Sequence, residues 1–382
     1  MTSEGNIHNE DQTEVKGPGK QKVLIVDDSD VIIDLLMETL KDSYAIVTST
    51  NGQKALEIAS ADPPPDIILL DVQMPGMNGY EVCERLKALE KTRAIPVIFI
   101  TGLNGEDNEY RGLELGALDY ISKPFSLSLV KARVRNHMEL KRYRDGLEEL
   151  VQIRTRDLEL TQEVAMESMG TLAEFRDPET GGHIKRTQHY IKALAMKLKD
   201  NARFKDLLQN STIDLLYKSA PLHDIGKVAI SDFILLKPGK LTGEEFEEMK
   251  KHTVYGRNVI HAAAKKIGDN SFLHIAEEIA YTHHEKWDGT GYPQGLKGDE
   301  IPISGRMMAL ADVYDALISK RVYKPPMPHQ KAVSIICGEK GIHFDPDIVE
   351  AFMDLSDIFR NIALGFADFE EEREALSELN KA

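Results

Sequence analysis

Between Lys22 and about Arg135 the chain alternates short apolar runs with segments of helical period. The runs are VLIV, DIILL, PVIFI and the less apolar DYIS, and the helical segments include VIIDLLMETL and GYEVCERLKALE. Strand and helix in alternation predict an α/β domain with a parallel sheet flanked by helices. From about Leu127 to Phe175 turn residues become scarce while Glu, Arg, Leu and Lys dominate, which predicts one long helix. Beyond Arg176 the periods are mostly helical, as in TIDLLYKSAPLHD, IAEEIAYTHHEKW and ISGRMMALADVYDALIS, so an all-α second domain is expected.

These patterns divide the chain into a flexible N-terminal tail (1–20), an α/β domain (21–140), a helical linker (141–164), a helical domain (165–365) and an acidic C-terminal tail (366–382). The tail FEEEREALSELNKA reads as a solvated helix face. Val151, Leu158, Ala165 and Leu172 share one seven-residue phase, but Arg144 and Arg154 interrupt the seams. A dimerising coiled coil and a plain linker helix both fit that pattern.

Length and composition agree with two soluble domains: 382 residues, 42% hydrophobic and 29% charged. The formal charge of -16 lacks the basic footprint of a nucleic-acid binder, so no DNA partner is expected. An anionic substrate is not excluded, because bound dications reverse the local field. Two cysteines, Cys83 and Cys337, are too few for a disulfide framework and sit in apolar settings that suit buried thiols. With no apolar run of membrane-spanning length and no signal-like start, a cytoplasmic protein without membrane contact is expected.

Each apolar run of the first domain ends in a polar residue: Asp27 and Asp28 after VLIV, Asp71 after DIILL, Thr101 after PVIFI, and Lys123-Pro124 after DYIS. Ligand crevices of open parallel sheets lie beyond the carboxyl ends of the strands, so these residues can converge there. Singly, each reads as a cap or turn residue. Together and in this order, residues 21–140 resemble the receiver domain of response regulators, which implies a doubly wound, parallel five-stranded α/β fold. The resemblance implies that Asp71 is the phosphoacceptor, that Asp27 and Asp28 hold Mg²⁺, that Thr101 and Lys123 contact the phosphoryl group, and that Tyr120 is an aromatic switch. It also implies a sensor histidine kinase as partner and a cis peptide before Pro124.

In the second domain, five of the twelve histidines make sense together: His183, His223, His252, His283 and His284. With Glu179 in DPETGGH, Asp224 in HDIGK and Asp312 in ALADVYDAL they give eight potential ligands. Imidazole with carboxylate suits Fe, Mn, Zn or Ni better than Mg or Ca. Glu179 and His183 are four apart, although Gly181-Gly182 interrupts that turn, and the adjacent His223 and Asp224 suit different metals or a bridge between two. A cluster of two or three divalent metals is the economical reading.

The stretches HDIGKVAISDFILLKPGKLTGEEFEEMKKHTVYG and HHEKWDGTGYPQGLKGDEIPISGRMMALADVYDAL resemble the two halves of the HD-GYP family, over about residues 165–360. Membership implies those eight ligands, with Fe or Mn favoured, and hydrolysis of cyclic di-GMP to pGpG and in some members on to GMP. Asp224 and Lys227 are the expected catalytic pair, and Lys227, Arg321 and Lys324 are expected at the substrate phosphates. Tyr292, in the Gly291-Tyr292-Pro293 loop, either stacks on a base or packs the loop. Two other functions stay open at this point: a cyclic-dinucleotide-binding or partner-recruiting module without useful catalysis, and an HD hydrolase of another nucleotide phosphoester. The linker helix and the receiver are both candidate homodimer contacts.

Overall fold

The computed structural model describes residues 20–102, 106–175, 182–267, 272–320 and 325–377. The expected sites Glu179, Arg321 and Lys324 lie outside the described residues, as does the N-terminal tail through residue 19. The chain divides into two compact units, Met1–Arg154 and Thr155–Ala382.

In the first unit the strands β1 (Lys22–Val26), β2 (Ala45–Ser49), β3 (Ile67–Asp71), β4 (Val97–Thr101) and β5 (Asp119–Ser122) form one parallel sheet in the order β2-β1-β3-β4-β5. The helices are α1 (Asp30–Leu40), α2 (Gly52–Ala59), α3 (Gly79–Ala88), α4 (Glu106–Glu114) and α5 (Leu127–Glu174). Near-continuous apolar strands follow from covering both faces. Val23, Ile25, Leu69 and Ile98 pack with Leu36 of α1 and Val130 and Val134 of α5, whereas Leu24, Val26, Leu70 and Phe99 pack with Ala55 of α2 and Val82 and Leu86 of α3. The connection reverses direction between β1 and β3, and this switch point opens the crevice at their carboxyl ends. The bond between Lys123 and Pro124 is cis.

Cys83 is buried on α3, and burial pushes its thiol up to about 11. At pH 8 roughly one molecule in a thousand then carries the thiolate. Native protein treated with iodoacetamide at pH 8 is expected to show no alkylation of Cys83 by mass spectrometry until it is unfolded; rapid native labelling would contradict this packing. Cys337, expected to be buried as well, is only partly covered.

The second unit contains the last turns of α5 followed by α6 (Gly182–Leu198), α7 (Asn210–Ser219), α8 (Asp232–Leu235), α9 (Gly243–Ile267), α10 (Phe272–Thr282), α11 (Ile303–Ile318), α12 (His329–Gly338), α13 (Pro346–Asp354), α14 (Ser356–Gly365) and α15 (Glu370–Ser377). Its main core joins Tyr190 and Leu194 of α6, Met307 and Tyr314 of α11, Phe352 of α13 and Phe359 of α14. Tyr190 and Phe359 stack with ring centroids 4.4 Å apart. A smaller core lies between α9 and α10 around Ile260, Ala264 and Ala276.

The acidic C-terminal stretch departs from the expectation of a solvated face. Glu372 on α15 is buried, and its carboxylate accepts from the amides of Lys320 and Asp368 at 2.8 and 3.0 Å. Backbone donors at the end of α11 draw this acid inward. No helix of the described residues is long and apolar enough to cross a membrane.

Candidate metal centre and phosphoacceptor pocket

At the switch point of the sheet, Asp27 and Asp71 are buried and Asp28 is exposed, with one carboxylate oxygen from each within 4.8 Å of the others. Lys123, following β5, reaches across to Asp27 Oδ2 at 2.8 Å and Asp71 Oδ1 at 3.2 Å. Burial raises the Asp71 carboxyl above its usual range and Asp27 adds to this, while Lys123 opposes it. Thr101 ends β4, and with Tyr120 it lines a small cavity beside Tyr80 and Phe99. Two buried acids sharing one lysine, with the exposed Asp28 beside them, suit a carboxylate-rich Mg²⁺ site.

The second unit assembles its histidines from four places. His183 lies in the first turn of α6, His223 and Asp224 join two short 3₁₀ turns, His252 is on α9, and His283 and His284 follow α10. Asp312 comes from α11. Gly226 permits the close approach of the HDIGK segment to α9, because a Cβ there would lie 1.9 Å from the carbonyl oxygen of His252.

The orientation of the rings is set from behind. Nδ1 of His223, His252 and His283 donates to the carbonyls of Ala220, Met249 and Ile279 at 3.0, 2.8 and 2.9 Å. Nδ1 of His183 donates to Asp315 Oδ2 at 2.8 Å. With a proton on Nδ1, each ring turns Nε2 inward, the arrangement typical of metal-ligating histidine.

Asp224 is the hinge of the cluster. Its Oδ1 lies 3.2 Å from His252 Nε2 and 3.5 Å from His283 Nε2, and its Oδ2 lies 3.3 Å from His223 Nε2. Asp224 Oδ1, His252 Nε2 and His283 Nε2 make no hydrogen bond of acceptable geometry, although all are buried. Such groups need a partner in the space between them. Burial alone would raise the Asp224 carboxyl; Lys227 and His223 outweigh it and hold that carboxyl well below the usual range. Burial, with His283 and His252 beside it, keeps His284 well below the usual imidazole range and therefore neutral. Buried imidazole nitrogens around an ionised carboxylate fit a divalent metal.

One carboxylate thus faces two groups of donors. Asp224, His252, His283 and His284 form the first, and Glu174, His183 and His223 the second, each with ligand atoms within 4.8 Å. Asp312 Oδ1 joins the second group 3.7 Å from His183 Nε2. Lys227 Nζ stands 2.8 Å from Asp224 Oδ2. Tyr292 rests on His284 with centroids 4.9 Å apart.

Four supporting residues were not among the expected site residues. Arg186 forms a buried bidentate pair with Asp315, Nε to Oδ1 at 2.7 Å and Nη2 to Oδ2 at 2.9 Å, and so fixes the carboxylate that orients His183. Glu285 accepts from the amides of Gln294 and Leu296 at 2.7 and 3.0 Å, which pins the Gly291-Tyr292-Pro293 loop to the residue following His284. Glu174 is the fourth. A sequence signal exists for Asp315, three residues from Asp312 on one helix face.

Comparison with known proteins adds two domain matches and several relatives that span most of the chain. A model of the response regulator receiver domain matches residues 23–135, and a model of the HD domain matches residues 167–348. A Vibrio cholerae protein named as a probable cyclic di-GMP phosphodiesterase is 48% identical over 356 residues, covering 91% of this chain and 80% of the relative. A Thermotoga maritima cyclic di-GMP phosphodiesterase is 37% identical over 361 residues, covering 88% and 92%. The cyclic di-GMP phosphodiesterase response regulator RpfG of Xanthomonas campestris is 35% identical over 295 residues, covering 75% of each chain.

Proposed function

The chain belongs to the response regulators that join a receiver domain to an HD-GYP output domain, and on that premise we propose that phosphorylation of Asp71 controls its metal-dependent hydrolysis of cyclic di-GMP to pGpG. The observation that carries the reading is Asp224, whose two oxygens face separate groups of inward-turned histidines. Divalent metals held there supply Lewis-acid polarisation of the phosphoester and activation of water. The remaining work falls to side chains of this chain.

Asp224 spans the two groups; His252, His283 and His284 complete one, and His183, His223 and Asp312 serve the other, with Glu179 the further ligand that the family pattern implies. The borderline donor set favours Fe or Mn. Lys227, beside Asp224, offsets phosphate charge as the ester is cleaved, and Arg321 and Lys324 are assigned the same task. Tyr292 is held by its loop against His284, where its ring meets a base of the substrate. The proposed domain limits are 21–140 for the receiver, 141–164 for the linker and 165–365 for the output domain, with a homodimer contact on the linker helix or receiver.

In the receiver, the Asp71 carboxylate takes the phosphoryl group from the phosphohistidine of a sensor histidine kinase, forming an acyl phosphate as the P–N bond breaks and the histidine is released. Asp27 and Asp28 would hold Mg²⁺, and Lys123 neutralises the phosphoryl oxygens. Thr101 and Tyr120 then reorient towards the added charge. An Asp71→Asn chain is expected to take up no phosphoryl group from acetyl phosphate, read by intact mass, and to hydrolyse cyclic di-GMP at a rate insensitive to beryllofluoride. A wild-type rate that beryllofluoride leaves unchanged would remove the control step. The substrate assignment is tested with a panel of cyclic di-GMP, 3′3′-cyclic GMP-AMP and a generic phosphodiester: pGpG is expected as the dominant product, and preferential turnover of either other compound would overturn it.

A further inference from the structure

We propose that Glu174 is a carboxylate ligand of the metal held by His183, His223 and Asp312, an inference that rests on the metal-dependent reading above. Glu174 is the last residue of α5 and is 3% exposed. Its Oε1 lies 3.6 Å from His183 Nε2. His183 Nε2 is in turn 3.3 Å from His223 Nε2 and 3.7 Å from Asp312 Oδ1.

The two imidazoles already commit their Nδ1 protons, His183 to Asp315 and His223 to the Ala220 carbonyl. Both Nε2 atoms therefore face the point where two carboxylates also converge. Carboxylate oxygens converging in a buried site repel one another, and a buried ion without compensation is costly. A dication between them satisfies two nitrogens and two carboxylates at once, with the mixed N/O set that borderline metals favour.

The position of Glu174 is fixed independently of that cluster. One turn earlier, on the same helix face, Gly170 lies so close to the HD segment that a Cβ would sit 2.5 Å from the Pro221 carbonyl oxygen and 2.8 Å from Ile184 Cδ1. Pro221 is two residues before His223 and Ile184 directly follows His183, so the last turns of α5 are keyed to the segments carrying both histidines. The neighbouring Leu172 and Phe175 are exposed while Ala173 and Glu174 are buried, which turns this acid inward. A ligand would then be carried by the helix whose first turns, through Val130 and Val134, belong to the receiver core.

The test is metal binding by the full chain, measured as Mn²⁺ equivalents by mass spectrometry and as affinity by titration of the metal-free protein. Glu174→Gln keeps the side-chain shape and removes the charge. It is expected to lose about one equivalent relative to wild type, or to bind that equivalent at least about tenfold more weakly, with the circular dichroism of the metal-free chains unchanged. Glu174→Asp, which retains the charge on a shorter stem, is expected to weaken binding less. Wild-type stoichiometry and affinity in Glu174→Gln would overturn the proposal while leaving the metal centre intact, and so would equal losses in both variants. Wild-type protein that binds no Mn²⁺ would overturn the underlying metal-dependent reading instead.

Discussion

An Asp224→Ala chain is expected to hydrolyse cyclic di-GMP at least about a thousandfold more slowly than wild type, a barrier increase of about 4 kcal/mol. The size follows from position: Asp224 is the one described side chain that faces both groups of histidines, with His252 and His283 on Oδ1 and His223 on Oδ2. Removing it also takes away the carboxylate 2.8 Å from Lys227 Nζ and makes a site built for cations more positive. The measurement is kcat by product chromatography at saturating substrate, alongside metal content and the thermal transition of the helical unit. A rate within tenfold of wild type in a folded chain would contradict the role assigned to Asp224.

The second large effect concerns stability. Arg186→Ala is expected to destabilise the helical unit by about 3–5 kcal/mol, because it leaves the buried Asp315 carboxylate without its guanidinium partner. Arg186 lies at 1% exposure and also donates to Ser319 Oγ at 2.9 Å and to the Phe366 carbonyl at 2.8 Å, so a single substitution strips several partners. Asp315 in turn holds Nδ1 of His183, and metal affinity should fall with stability. Denaturant unfolding followed by signals from each unit separates the two transitions, which a two-state fit to the whole chain would blur. A loss below about 1 kcal/mol would show that water or a rearranged neighbour replaces the guanidinium.

How far the sequence exposed this architecture depended on what each residue type reveals locally. β1, β3 and β4 read as apolar runs because both faces of the sheet are covered, and their polar ends marked the crevice. β2 drew no attention: of its AIVTS residues only Ser49 is buried, so no apolar run stood out at this sheet edge. The long helix α5 was legible from composition, since an exposed helix needs little besides strong helix formers. The histidines of the metal centre stood out because they are rare and lie in long motif stretches.

Residues whose burial is decided by distant partners were not legible. Glu174 resembles Glu159, Glu163 and Glu167 along the same helix, and only the approach of α6 and the HD segment makes it a site residue. Arg186 looks like one of several basic residues near the start of α6; its partner Asp315 is 129 positions away. Glu285 follows two conspicuous histidines, yet its work is to receive two amides from a loop that the sequence shows only as glycine and proline. Glu372 was read as one solvated acid among several for the same reason. Charge pattern reports what a helix can expose, whereas burial of a charge depends on donors brought in by the tertiary fold.

The measurement that bears most directly on the central claim is product chromatography paired with metal analysis on anaerobically purified full-length protein, before and after chelation. The expected result is bound Fe or Mn, conversion of cyclic di-GMP to pGpG, loss of that conversion on chelation and its return on adding Mn²⁺ or Fe²⁺. Tight binding of cyclic di-GMP by metal-loaded protein with no pGpG released, or turnover that survives complete removal of metal, would contradict the account.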